Sequence, residues 1–109
     1  KFKDRNLYVH NENVTLMRTT PQECEVIALD ICKKLNKAKA KTALMVPLRG
    51  VSAIASEGQP FYDPAADDAL FSTLRKNLSS NIELIELDLA INDPKFSSAL
   101  AAKLLSYLD

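Results

Sequence analysis

The sequence predicts an α/β domain of the three-layer, Rossmann- or flavodoxin-like kind: a small, mainly parallel sheet with helices on both faces. Three observations predict it. Apolar runs at 14–17, 43–48 and 82–87 have the length and aliphatic content of strands. Each is followed, after a polar turn, by a stretch whose apolar residues recur at helical spacing. A hydroxyl or carboxyl residue directly before Pro opens every one of those stretches, at Thr20-Pro21, Asp63-Pro64 and Asp93-Pro94. Strand, turn and helix in repeated order is the grammar of crossovers that join parallel strands.

The elements follow in order. Leu7-Tyr8-Val9 is either a short first strand or packing for the entering chain. The run Val14-Thr15-Leu16-Met17 is the first strand of the repeat, and 21–37 the first helix. Thr20 suits its N-cap, Pro21 its first turn, and Glu23 the reciprocal partner three residues after the cap. Cys24, Ala28, Ile31 and Leu35 share one face, while Lys33, Lys34 and Lys37 complement the negative pole of the helix end. The run 43–48 is apolar without alternation, as in a strand covered on both faces, and Pro47 marks its end or an edge. The segment 49–62 lacks periodicity. With Gly50 and Gly58 as hinges and Phe61-Tyr62 as an anchor, it reads as a lid or partner surface, with an ordered structural excursion as the plainer alternative. Asp63-Pro64 opens a helix with Ala66, Leu70, Leu74 and Leu78 inward. The run 82–87 is the third strand, and Asp93-Pro94 opens a last helix with Phe96, Leu100, Leu104 and Tyr107 or Leu108 in a stripe. The strands ending near Met17, Leu48 and Leu87 are expected to lie side by side and parallel.

Composition sets the outer limits. A chain of 109 residues suits one α/β domain spanning 1–109, because two cores of half that size would each be hard to stabilise. Fourteen basic and 14 acidic side chains balance to zero, which argues against direct binding of nucleic acid. No apolar run approaches the roughly 18 residues that span a bilayer, and no leader pattern opens the chain. Cys24 and Cys32, on one helix, would sit ~12 Å apart along its axis, too far to bridge. Free thiols place the expected home in the cytoplasm. The sequence opens in mid-phrase at Lys1, so the domain is expected to be the C-terminal portion of the second domain of a larger protein.

In open parallel sheets, ligands bind beyond the carboxyl ends of the strands. The candidate ligand-binding residues gather there: Arg18, Thr19 and Thr20 after the first strand, Arg49, Gly50 and Ser52 after the second, and Asn92 and Asp93 beyond the third. Two guanidiniums, hydroxyls and helix N-termini suit a phosphate or carboxylate. The plainer alternative makes Thr20, Asp63 and Asp93 helix caps, and pairs the arginines structurally with Asp93 or Glu57. Phosphate-loop and dinucleotide fingerprints are absent, as is any metal-ligand spacing, and with one His no Ser-His-Asp arrangement is evident. No catalytic and no metal residues are assigned. The lysines of 33–41 have no interleaved aromatics and read as a solvated helix end.

Four phrases stand out together: V-T-L-M-R-T-T-P-x-E (14–23), P-L-R-G-V-S-A (47–53), G-x-P-F-x-D-P (58–64) and I-N-D-P-x-F (91–96). With these the chain resembles the C-terminal part of the Tm-one-like ATP-binding family, which spans bacterial and fungal proteins and the N-terminal region of a tomato mosaic virus resistance protein. The resemblance implies a two-domain α/β protein, an association with ATP borne mainly by the other domain, and a protein partner. Relatives commonly carry an Asp where this chain has Ala55, and a His where it has Ala90. Losing that acid–base pair favours binding over catalysis. The expected function is a binding or regulatory module with an anion crevice, nucleotide included, at the strand ends and a surface for self-association or a protein partner. The alternative is part of an enzyme acting on a phosphorylated or carboxylated metabolite together with a missing domain.

Overall fold

The computed structural model describes residues 2–108, a mixed α/β domain of two small sheets and three helices. In chain order these are β1 (Leu7–Asn11), β2 (Val14–Met17), α1 (Pro21–Leu35), β3 (Thr42–Pro47), a short 3-10 turn (Ala53–Ala55), α2 (Pro64–Asn77), β4 (Ile82–Leu87) and α3 (Pro94–Leu108).

The helix openers act as their residue types dictate. Thr20 accepts from the Glu23 amide, and Glu23 accepts from the Thr20 amide, closing a capping box around the first turn of α1. Asp63 accepts from the Ala66 amide at 3.1 Å to cap α2. Asp93 accepts from the Lys95 amide at 2.9 Å where α3 begins. At the other end of α1, the Asn36 side chain donates to the Asn77 carbonyl and accepts from the Ser79 amide. One amide thereby fastens the ends of both helices together.

β3 and β4 are parallel neighbours, paired in register from Thr42 with Ile82 to Pro47 with Leu87. The expected third parallel strand is not beside them. β2 instead pairs antiparallel with β1, Leu7 opposite Met17 and Val9 opposite Thr15, as a separate two-stranded sheet. The physical reason lies in the turn: the Asn11 side chain accepts from the Asn13 amide at 2.8 Å and reverses the chain at once. Closing that short loop costs far less entropy than bringing β2 to a strand some twenty-five residues away.

The core lies on one face of β3 and β4. Ala28 and Cys32 of α1 meet Phe71 and Leu74 of α2 over Val46, with Leu44, Leu48 and Leu84 packed around them. Ala28 and Ala66 are wholly buried. Glu83 alternates with Ile82 and Leu84 and so faces the other side, where it holds α3: it accepts from the Tyr107 hydroxyl at 2.8 Å and pairs with Lys103 at 2.7 Å. Of the α3 stripe, Phe96 is buried, whereas Leu100, Leu104 and Leu108 are exposed. The outline is correspondingly long, 49 × 28 × 24 Å, with a radius of gyration of 15.4 Å. A compact domain of this length would have about 13 Å.

Candidate functional site

The carboxyl ends of β3 and β4 run on together after the ladder ends. The Leu48 amide donates to the Leu87 carbonyl at 2.9 Å, and the Ile91 amide to the Gly50 carbonyl at 2.9 Å, with Gly50 bridging Ala90. This shared exit sets Arg49 beside Asp88. Arg49 Nε donates to Oδ1 at 2.7 Å and Nη2 to Oδ2 at 3.3 Å, a two-pronged contact. The guanidinium holds the Asp88 carboxyl below the usual carboxylate range, and Asp88 raises the guanidinium in turn. Both side chains stand well out in solvent, 64% and 73% exposed, so the pair orients Arg49 without hiding it.

Leu48, Arg49, Ser56, Glu57, Tyr62 and Ala90 line a crevice of about 340 Å³ at this end of the sheet. Its far wall is the segment after β3, which is tied to itself by hydrogen bonds. The Ser56 hydroxyl donates to the Ser52 carbonyl, the Gln59 amide to the Ser56 carbonyl, and the Phe61 amide to the Ile54 carbonyl at 2.8 Å. Phe61 is buried and pins the segment down. Gly50 has φ +154°, and a Cβ there would stand 2.5 Å from Ser56 Oγ, so only glycine lets this wall approach the strand. Leu48 and Tyr62 also border a smaller hollow with Pro64, Asp67, Asp68 and Phe71.

The eight sequence-derived candidates fall in three places. Arg49 lines the crevice, and Gly50 and Ser52 shape it through Ser56. Arg18 is buried elsewhere: it pairs with Asp67, donates from Nε to the Phe61 carbonyl at 3.0 Å and from Nη1 to the Thr19 hydroxyl. Arg18, Thr19 and Thr20 border a separate depression with Arg5 and Asp63. There Thr19 lies 3.3 Å from Cys24 Sγ, and Thr20 is occupied with capping. Asn92 and Asp93 sit in the turn before α3, outside the residues lining the crevice. Asp88 and Ser56 are crevice-building residues absent from the sequence-derived candidates, and Tyr62 stood there only as an anchor of the 49–62 segment. Their one available signal is that Asp88 closes an apolar strand as Arg49 does. Among the described residues, no cluster of His, Cys, Asp or Glu is arranged to hold a metal ion, and no helix is long and apolar enough to cross a membrane.

Residues 1–108 match the family described as "Uncharacterised protein family (UPF0261) C-terminal domain". The chain belongs to the UPF0261 family. A UPF0261 protein of Clostridium tetani is 47% identical over 110 residues, covering 100% of this chain and 27% of that protein. One of Rhizobium meliloti is 48% identical over 104 residues, 94% of this chain and 26% of its own length. The ToMV resistance protein Tm-1(GCR237) of Solanum lycopersicum is 39% identical over 107 residues, 96% of this chain and 14% of that protein. The chain thus resembles the Tm-1 proteins as well as the bacterial UPF0261 proteins. It spans about a quarter of the length of those bacterial relatives.

Proposed function

We propose that this UPF0261 domain is a binding or regulatory module whose crevice beyond β3 and β4 takes a small anionic molecule, held by Arg49 through a carboxylate or phosphate. The observation that carries the reading is the Arg49 guanidinium at the carboxyl end of a parallel strand pair. It is fixed by Asp88 on one edge and solvent-facing over a crevice large enough for a metabolite. A guanidinium held on one edge keeps donors free on the other, the arrangement that recognises carboxylates and phosphates. The parallel pairing, with α1 and α2 on one face and α3 tied to Glu83 on the other, supports a three-layer, Rossmann-like reading of this part of the fold.

Two further readings go with it. The exposed leucines of α3 support association with a second copy or a partner protein. The two unbridged, buried thiols of Cys24 and Cys32 support a reducing, cytoplasmic setting.

Calorimetry with organic acids, phosphorylated metabolites and nucleotides, ATP included, tests the crevice. A ligand that binds the native chain is expected to lose at least tenfold in affinity to Arg49→Ala. Equal affinity for Arg49→Ala and the native chain would end the proposal.

A further inference from the structure

The charges around the crevice go further than an anion site alone, and the next step rests on the reading just given. Arg49 brings one guanidinium, while Asp88 and Glu57 bring two carboxylates. Asp88 is engaged with Arg49, through Nε and one Nη2 hydrogen, which leaves Nη1 with no acceptor among the described residues. Glu57 is exposed on the opposite wall and carries neither a hydrogen bond nor an ion pair among them. At physiological salt, charges are felt over about 8 Å, so every group in a crevice this small acts on its occupant. A bare anion reaching Arg49 also meets the Glu57 carboxylate, whose charge already acts on Arg49. A molecule that carries a cationic group as well escapes that penalty, because the cation meets Glu57 while its anion meets the free edge of the guanidinium.

We infer that the crevice takes an amino-bearing acid, an amino-acid-like zwitterion, with Arg49 holding its carboxylate or phosphate and Glu57 holding its ammonium group. Glu57 is then the residue that sets specificity, and Asp88 is a positioning residue that fixes the guanidinium. Ser56 and Tyr62 belong to the same lining and supply uncharged wall for the remainder of the molecule. An uncharged crevice wall at residue 57 would remove the preference while leaving the anion contact intact.

The test is calorimetry with L-amino acids, each beside the acid that lacks only its amino group, such as aspartate beside succinate and leucine beside 4-methylpentanoate. The native chain is expected to bind at least one amino acid about tenfold more tightly than its deaminated counterpart. Glu57→Gln is expected to bring the pair within about twofold and to leave the deaminated acid bound at least as tightly as by the native chain. Arg49→Ala is expected to lose both. Both side chains are exposed, and unchanged thermal melts verify that each variant folds. Equal binding of the two acids by the native chain, or a preference that survives Glu57→Gln, overturns the assignment of Glu57 and leaves the anion site standing. Binding only by phosphates without an amino group does the same. No binding by any acid or phosphate overturns both.

Discussion

Arg18 and Asp67 form a buried ion pair across 49 residues of chain, and that pair fastens the end of the β1–β2 hairpin to the first turn of α2. The guanidinium also donates to the Phe61 carbonyl, while the Asn6 side chain donates to the Pro60 carbonyl beside it. Tyr8 meets the Phe61 ring edge-on at 6.1 Å. One arginine therefore holds three parts of the fold in place: hairpin, crossover segment and helix.

Removing one partner should be costly. Asp67→Asn leaves a guanidinium buried without its counter-charge, for which about 3–5 kcal/mol is the usual loss. Urea melts are expected to show a large drop in midpoint for Asp67→Asn and nearly none for Asp88→Asn, although both variants break an Arg–Asp pair. Equal effects would mean that burial does not separate the two pairs.

Glycine substitutions should discriminate between two turns. Gly50→Ala places a Cβ 2.5 Å from Ser56 Oγ and 3.1 Å from Ser56 Cα, so the backbone itself must shift. Gly58→Ala, at φ +84° with open space around it, meets only the left-handed backbone penalty of about 1–2 kcal/mol. Both variants are expected to melt lower. Gly50→Ala alone should weaken whatever ligand the crevice binds, a difference that calorimetry on the two variants measures.

Acid should loosen the surface pairs first. The Glu23 carboxyl is held below its usual range by the Thr20 amide and then by Arg5, Glu83 by Lys103 and Tyr107, and Asp88 by Arg49. A carboxylate with a depressed native pKa contributes stability that is present above its unfolded value. It is lost as pH falls through the native one. Stability is expected to be level near neutrality and to decline below about pH 4.5, where unfolded Glu and Asp begin to titrate. Glu23→Gln should flatten the decline in urea melts taken from pH 7 to pH 3; an unaltered slope would remove Glu23 from the account.

The apolar surface should have a consequence in solution. Leu104, Leu105 and Leu108 are 60%, 61% and 72% exposed on one helix, and Val26 of α1 is 68% exposed. A helix with apolar residues around most of its circumference normally sits inside a structure. Light scattering at micromolar concentration is expected to report a species larger than the 12.1 kDa monomer. The double variant Leu105→Ser, Leu108→Ser is expected to shift it toward monomer. A native chain already monomeric at those concentrations would dispose of self-association.

The helix openings were legible because capping is local: Thr20, Glu23, Asp63 and Asp93 do chemistry with amides two or three residues away. The parallel pairing of β3 with β4 was legible too, since an unalternating apolar run with a helix after it has few other uses. The hairpin was not read, though Asn11-Glu12-Asn13 between two short β-rich runs carried the signal for a tight reversal. Partner choice was the least legible part. Arg18 and Arg49 look alike in sequence, each following a strand, yet one is sealed beneath Phe61 and the other stands in solvent. That difference arises from Asp67 and Asp88, which lie 49 and 39 residues downstream, and nothing in the sequence around either arginine names its partner.

The two cysteines make α1 its own clock. Cys24 and Cys32 are 3% and 2% exposed, toward opposite ends of the helix, and burial pushes the Cys32 thiol up from its ordinary value. A thiol reagent can reach Cys32 only while α1 stands away from Leu74 and Phe71, because those residues and Val46 enclose it. Cys24, its Sγ 3.3 Å from the Thr19 hydroxyl, lies near the start of α1 and is reached only when that end of the helix opens. Mass spectrometry of the native chain under slow alkylation would therefore time two separate events in one molecule, the breathing of a helix end and the parting of the α1–α2 seam, without any introduced label.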